Sequence, residues 1–126
     1  MTLVLDAGAL IAVERNDRAM WRRLKLALNA GEIPVTHGGI VGQAWRGRGS
    51  RSALIALALA GMDVHSLDED LGKRSGELLG RVKKNDVIDA ALVLIAKDGD
   101  TIATSDAGDL QSLARAAGRI LNLITV

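Results

Sequence analysis

Short apolar runs alternate with longer segments of helical spacing along this chain. Between the runs, apolar positions predict helices over residues 9–14, 17–29, 40–46, 53–60, 67–84, 87–96 and 110–117. The runs themselves are typical of buried strands and cover Thr2–Leu5, Ile33–Thr36, Met62–Ser66, Thr101–Thr104 and Ile120–Val126. Strands that alternate with helices in this way predict an α/β domain with a mostly parallel sheet.

The predicted helices differ in how much of their surface is apolar. Residues 87–96 are apolar on every face, which indicates a buried helix, whereas residues 67–84 are amphipathic. Asn16 or Asp17 can cap the second helix. Pro34 predicts one of two arrangements: the second strand lies at an edge of the sheet, or the proline lies at the first residue of the strand. The residues expected on the apolar faces of the second and the amphipathic helix are Trp21, Leu24, Ala27 and Leu28, and Leu71, Leu78, Leu79 and Val82.

Acidic side chains follow two of the buried strands and open the buried helix. Asp6 ends the first strand and Asp106 follows the fourth, while Asp86 and Asp89 stand at the start of the buried helix. Parallel strands end at one edge of a sheet, and ligands of α/β proteins bind beyond that edge. Carboxylates at the rim of a core are costly unless they are neutralised. The pattern therefore predicts a divalent cation at this edge.

The same acids also suit purely structural roles. Asp6 and Asp86 can cap the helices that follow them, and Asp89 in a first helical turn is favoured by the helix dipole. Asp106 and Asp109 can bond their own backbone in a turn. For Asp86 and Asp109 both interpretations stay open. For Asp89, and for Asp6 and Asp106 at the two strand ends, we favour a functional role.

Length and composition restrict the class of protein. A chain of 126 residues predicts one domain over 1–126, and a net charge of +1 does not by itself indicate a nucleic-acid partner. With two Trp and no Tyr or Phe, base stacking on an aromatic platform is not expected. The sequence shows no secretory leader and no apolar run long enough to span a bilayer. We expect a soluble, cytoplasmic protein.

The available donor atoms favour a hard metal ion. Cysteine is absent, which excludes thiolate zinc sites and cysteine nucleophiles, and His37 is interpreted as a polar loop residue outside the site. A cluster of carboxylate oxygens suits Mg²⁺, with Mn²⁺ as an alternative. No GxxxxGK[ST] or GxSxG motif is present, so nucleoside triphosphate hydrolysis and serine-esterase chemistry lack their usual loops.

A glycine-rich basic segment over Trp45–Arg51 carries three arginines, Arg46, Arg48 and Arg51. Arginine matches phosphate geometry, so the segment could contact RNA phosphates. It could equally be a solvated turn between two helices. Both interpretations stay open.

Three motifs in this order resemble the PIN-domain family, and most closely its VapC-type toxins of bacterial toxin–antitoxin pairs. They are LDAGALIA at the N-terminus, DVIDAALVLIA in the middle and IATSDAGDL near the end. Each motif is short, but together they cover essentially the whole chain. The resemblance implies a three-layer α/β/α sandwich with a five-stranded, mostly parallel sheet and a metal-dependent ribonuclease activity.

The resemblance also assigns roles to particular residues. It implies that Asp6, Asp89 and Asp106 are catalytic and hold Mg²⁺, with Asp86 as an accessory ligand. It further implies an RNA substrate (tRNA or rRNA), a cognate antitoxin that covers the acids, and a homodimer. The residues expected to line the site are Gln43, Thr104, Ser105 and Asp109.

Gln43 departs from the family pattern, which has a glutamate about seven residues after the Ser/Thr of the second strand, here Thr36. The amide is neutral and can offer only its carbonyl oxygen to a metal. Metal binding could be weaker, the metal could be displaced, or Asp86 could replace the missing acid. Glu14 is a poorer substitute because it should lie more than one helical turn from the strand end.

Three functions are therefore compared. The first is a Mg²⁺-dependent endoribonuclease toxin, and the second is a catalytically weak PIN-like module that binds RNA or protein. The third is a Mg²⁺ phosphotransfer or phosphatase domain. The third needs an Asp-x-Asp pattern after the first strand, and Gly8 occupies the position of its second aspartate.

Overall fold

The computed structural model describes residues 1–126, in which five strands and seven helices alternate along the chain. The helices are α1 Ala7–Glu14, α2 Arg18–Asn29, α3 Gly38–Ala44, α4 Gly49–Ala60, α5 Glu69–Val82, α6 Val87–Ile95 and α7 Ala107–Ala116. The strands are β1 Leu3–Leu5, β2 Val35–His37, β3 Asp63–His65, β4 Thr101–Thr104 and β5 Asn122–Thr125. Together they form the predicted three-layer α/β/α sandwich.

The strands form one sheet in the order β3-β2-β1-β4-β5, and every neighbouring pair is parallel. The chain runs outward from β1 to β2 and β3, and then returns to β4 on the other side of β1. The switch point of the topology therefore lies between β1 and β4. Leu5 pairs with Ala103 there, so Asp6 and Thr104 follow at the same level. This is the position where open α/β sheets bind ligands.

The core surrounds the two central strands. All three residues of β1 and all four of β4 are buried. In α6, Ala90 to Val93 are fully buried, which confirms a core helix, although Val87 at its start is 38% exposed. In α5, Leu71, Leu78 and Leu79 are buried as predicted, and the Ser75 hydroxyl donates to the Leu71 carbonyl (2.7 Å).

Several helices begin earlier than their apolar spacing predicted. α1 begins at Ala7 instead of Ala9, α4 at Gly49 instead of Ala53, and α7 at Ala107 instead of Leu110. Their first turns are built from Ala, Gly and polar residues, which carry no periodic signal. α3 is shifted to Gly38–Ala44, because the side chain of His37 caps it.

The second helix packs differently from the prediction. Asp17 is its N-cap, and its side chain accepts from the Met20 N–H (2.8 Å). Met20 and Leu24 are buried, but Leu28 is 49% exposed, so the predicted apolar face was wrong at that residue. The packed part of α2 is its first two turns.

Pro34 lies just before β2, which is an interior strand of the sheet. The first-residue alternative therefore holds and the edge alternative does not. The Pro34 carbonyl accepts from the Asp63 N–H (2.8 Å), so the proline also contributes to the pairing with β3. None of the helices is both long and apolar enough to cross a membrane.

Candidate active site

Asp6 lies at the carboxyl end of β1 and is buried, with 6% of its surface exposed. Its Oδ1 accepts from the Ala9 N–H (2.9 Å), which makes it the N-cap of α1. Its Oδ2 accepts from the Ser105 N–H (3.3 Å) beyond the end of β4. The capping role is therefore real, and the same carboxylate also joins the ends of the two central strands.

Gly8 allows α1 to approach the end of β4 closely. A Cβ at this position would lie 2.3 Å from the Ser105 Oγ and 2.6 Å from its Cβ. A larger residue would force apart the two segments that Asp6 connects. The glycine of the N-terminal motif is therefore explained by packing at the rim of the site.

Asp86 is the N-cap of α6. Its Oδ1 accepts from the N–H groups of Ile88 (3.0 Å) and Asp89 (3.1 Å). The side chain is exposed, so Oδ1 is held by the helix end while the residue faces solvent. The structural interpretation of Asp86 is therefore correct, and its position next to Asp89 keeps it at the acidic edge.

Asp89 shows that the acids lie close enough to repel one another. Burial is the largest cause that raises its pKa from 3.8 to about 7, and the charges of Asp86, Asp6 and Asp106 follow. A carboxylate next to like charges holds its proton more tightly. The structure therefore brings these four acids together at the carboxyl edge of the sheet.

Asp106 precedes α7 and is exposed, and its carboxylate makes no capping bond. Its backbone N–H donates to Oγ1 of the fully buried Thr104 (2.8 Å). Thr104 thus fixes the turn that presents Asp106, while Ser105 between them is exposed and contacts Asp6 through its backbone.

Asp109 is exposed on the first turn of α7 and forms an ion pair with Lys84, whose Nζ lies 2.6 Å from its Oδ1. The hydrogen bond and charge of Lys84 lower the pKa of Asp109. Sequence reasoning missed Lys84, because nothing in the local pattern relates it to a residue 25 positions later. A cavity of about 230 Å³ at this point is lined by Lys83, Lys84, Asn85, Asp86, Asp89, Asp109 and Leu113.

His37 is fully buried and is not a loop residue, which corrects the interpretation from sequence. Its Nδ1 accepts from the Gly39 N–H (3.1 Å), and its Nε2 lies 2.9 Å from the Ile88 carbonyl. An acceptor role for Nδ1 and a donor role for Nε2 assign the Nε2–H tautomer. Burial lowers the pKa of His37, as the charge of His65 also does, while the bond to Ile88 opposes them. The ring therefore fastens α3 to the start of α6.

A second contact brings the same two helices together. A Cβ on Gly39 would lie 2.5 Å from the Cδ1 of Ile88 and 2.9 Å from the Cε1 of His37, so a larger residue there would have to displace these side chains. Gln43 follows one helical turn later on the same face of α3. It is exposed, and it does not line the cavity that contains Asp86 and Asp89.

The basic segment is shorter than predicted. Only residues 45–48 form the connection, and Arg51 lies in the first turn of α4. The Arg46 guanidinium donates to the carbonyls of Gly42 (3.2 Å) and Trp45 (2.9 Å), while the Ser52 hydroxyl bonds both backbone groups of Arg48. Arg46, Arg48 and Arg51 are all exposed.

The donor atoms of the acidic edge suit Mg²⁺, but they do not form a ready cage. No group of three or more His, Cys, Asp or Glu side chains is arranged to hold a metal ion. Mg²⁺ keeps several of its waters and takes only one or two protein carboxylates directly. The uncompensated charge around Asp89 therefore fits a hydrated Mg²⁺ better than an ion enclosed by protein ligands.

Comparison with known proteins finds a similar structure but no similar sequence. No protein-family model matches the chain, and no match was found among curated proteins. The chain is similar to a chain in the crystal structure of VapBC2 from Rickettsia felis bound to a DNA fragment from their promoter, with a TM-score of 0.71. The similarity covers 98% of this chain and 99% of the other at 12% sequence identity. The fold is PIN-like, as the motifs predicted.

We expect His37→Ala to destabilise the protein by about 2–4 kcal/mol, because it empties a buried site and leaves two backbone groups without partners. His37→Asn keeps a capping acceptor and should recover about 1 kcal/mol of that loss. Urea unfolding measures both variants. The control is His65→Ala, since the side chain of His65 is partly exposed and forms its one hydrogen bond with the exposed Asp63. Equal stability of the two alanine variants would contradict the role assigned to His37.

Asp89 should make the metal-free protein less stable as pH rises. Its folded pKa of about 7 lies above the unfolded value of 3.8, so its contribution is fully present below about pH 4 and is lost as pH rises through 7. Asp89→Asn should therefore stabilise the protein at about pH 8 by about 1–2 kcal/mol, allowing for solvent screening, and much less at about pH 5. Unfolding at both pH values, with Glu77→Gln on α5 as control, measures this. A gain independent of pH would contradict the assigned repulsion.

Proposed function

We propose that this chain is a Mg²⁺-dependent endoribonuclease that acts as the toxin of a type II toxin–antitoxin pair. The observation that carries the proposal is the group of four acids at the carboxyl edge of a PIN-like sheet, where burial and the charges of the other three acids raise the pKa of Asp89. Such repulsion is relieved by a bound cation. A site of this charge beside the cavity lined by Lys84, Asp86 and Asp89 suits the hydrolysis of a phosphodiester.

Asp6, Asp89 and Asp106 would hold a hydrated metal ion, one or two of them directly and the rest through its waters, with Asp86 as an accessory ligand. A Mg²⁺ ion bound there would supply an activated water and offset the charge of the phosphodiester during in-line displacement. Asp6 is held by two backbone N–H groups, and Asp106 is presented by the turn that Thr104 fixes. The Asp6 carboxylate and the backbone that carries Asp106 are thus positioned before a substrate arrives, as catalytic groups require.

The partners are proposed on the same basis. The structurally similar VapBC2 complex supports an antitoxin as partner of this chain. RNA as substrate, with tRNA or rRNA as the class, a homodimer, and a cytoplasmic location complete the proposal. Exposed apolar side chains on several elements, among them Leu26, Leu57 and Val64, leave surface for such assembly.

A second candidate function is a PIN-like module that binds RNA or protein with little or no cleavage. It is favoured by the neutral Gln43 and by the absence of a ready metal cage. The two functions differ in one measurement, because only the first predicts RNA cleavage that requires Mg²⁺ and stops with EDTA.

We expect Asp6→Asn, Asp89→Asn and Asp106→Asn each to reduce Mg²⁺-dependent cleavage of total RNA by about 10²-fold or more, because outer-shell changes alone often cost 10- to 100-fold. Asparagine can still cap a helix, so the folded structure should persist, which circular dichroism can check. Asp70→Asn on the exposed face of α5 is the control. Full activity of the Asp6 variant would overturn the site assignment, and activity in EDTA would overturn the role of the metal.

Gln43→Glu should tighten Mg²⁺ or Mn²⁺ binding by about tenfold and raise cleavage, if α3 holds this side chain near the acids. The added charge increases the repulsion that a cation relieves, and it should lower metal-free stability. Calorimetric titration compares the variant with wild type. Gln111→Glu adds the same charge on α7 instead of α3 and serves as control. Unchanged affinity would mean that Gln43 lies outside the site or that Asp86 already supplies the missing charge.

A further inference from the structure

Lys84 forms an ion pair unlike most others in the molecule. The Lys73–Glu69 and Arg74–Asp70 pairs join residues four apart on the exposed face of α5. Lys84 instead connects the segment between α5 and α6 to Asp109 on α7, with N and O 2.6 Å apart. Both partners line the cavity that also contains Asp86 and Asp89. A cation is therefore fixed at the rim of the acidic site.

The ammonium group of Lys84 is held by Asp109, and the hydrogen bond and charge of Lys84 lower the pKa of Asp109. Lys84 lines the same cavity as Asp86 and Asp89, but its ion pair is with Asp109 on α7. The fold therefore places a cation beside the acids and ties it to a residue outside the group of four.

The backbone before Lys84 supports the same arrangement. Lys83 caps α5 in the left-handed conformation, with φ 56° and ψ 39°. Glycine or asparagine usually occupies this position, because other side chains are strained there. The chain reverses at Lys83, and Lys83, Lys84 and Asn85 all line the cavity. Two consecutive ammonium groups therefore belong to one rim.

We propose that Lys84, assisted by Lys83, is a phosphate-binding subsite for a phosphodiester of a single-stranded RNA chain, and that Asp109 holds its ammonium group until the phosphate replaces it. This inference rests on the proposed function for the choice of RNA as ligand. A polyanion that approaches four carboxylates needs a cation beside them, and lysine binds phosphate as a compact point charge. Partly exposed ion pairs contribute little to stability, so a phosphate can displace Asp109 readily.

The test is the binding of a fluorescent single-stranded oligoribonucleotide in EDTA, measured by anisotropy over a range of salt concentrations. Lys84→Met should weaken binding and reduce the magnitude of the salt slope by about 0.7, the value for one lost phosphate contact on a single strand. Lys84→Arg should keep the slope. Lys73→Met, which removes one charge from the exposed face of α5, should also leave it unchanged.

Asp109 provides a second, independent test. Asp109→Asn should tighten RNA binding severalfold, because Lys84 then has no competing carboxylate. The gain should vanish in the Lys84→Met background, which separates release of the lysine from a general loss of negative charge. Asp70→Asn, which frees Arg74 in the same way on α5, is the matched control and should have no effect.

Several results would overturn the subsite. They are an unchanged salt slope in Lys84→Met, an equal loss in Lys73→Met, or wild-type protein that binds no RNA. Inhibition by inorganic phosphate without any binding of RNA would point to a free phosphate ligand and would also overturn it. Thermal melting checks that the variants are folded, and Asp109→Asn with an unchanged affinity would overturn the subsite if the methionine variant is not folded.

The outcomes separate this inference from the nuclease proposal. RNA binding that depends on Lys84, without RNA cleavage in Mg²⁺, would contradict the nuclease proposal and support the subsite. RNA cleavage by the wild type, together with an unchanged salt slope of RNA binding in Lys84→Met, would support the nuclease proposal and contradict the subsite. The triple alanine variant of Arg46, Arg48 and Arg51, measured alongside, shows whether the basic segment makes separate phosphate contacts.

Discussion

The buried carboxylate of Asp6 is the contact on which the carboxyl edge of the sheet depends. One oxygen caps α1 and the other holds the Ser105 N–H, so the end of β1, the start of α1 and the end of β4 are joined by one side chain. Gly8 makes this junction possible by letting α1 reach Ser105. Each oxygen accepts a backbone N–H, so the buried carboxylate has its hydrogen-bond partners. A residue that joins three elements of the fold therefore also places a carboxylate at the switch point.

The acids at this edge differ in their surroundings. Both oxygens of Asp6 accept backbone N–H groups, whereas Asp89 has burial and the charges of three other acids against it, and its pKa is raised to about 7. The cost of placing the acids together is thus concentrated on Asp89. A cation would relieve the repulsion among them, so part of the rise in the pKa of Asp89 and the proposed metal binding have the same electrostatic origin.

Sequence reasoning predicted the parts of the molecule that local pattern determines. The parallel sheet, the buried helix α6 and the meeting of Asp6, Asp89 and Asp106 follow from apolar runs that end in acids. His37 and Lys84 were missed, because their partners lie 51 and 25 residues away and leave no local pattern. The start of α7 was missed because its first turn, Ala-Gly-Asp, carries no apolar periodicity. Contacts between residues far apart in the sequence cannot be predicted from local sequence patterns alone.

The placement of α3 depends on contacts between residues distant in the sequence. The His37 ring bonds Gly39 and Ile88, so the first turn of α3 is held beside the first turn of α6, which carries Asp89. The direction of α3 is therefore set by buried groups before Gln43 is reached. The identity of residue 43 can then change without loss of the fold, because its side chain is exposed and the helix is anchored one turn earlier. The exchange of Gln43 for glutamate would alter the charge of α3 and leave the direction of the helix intact.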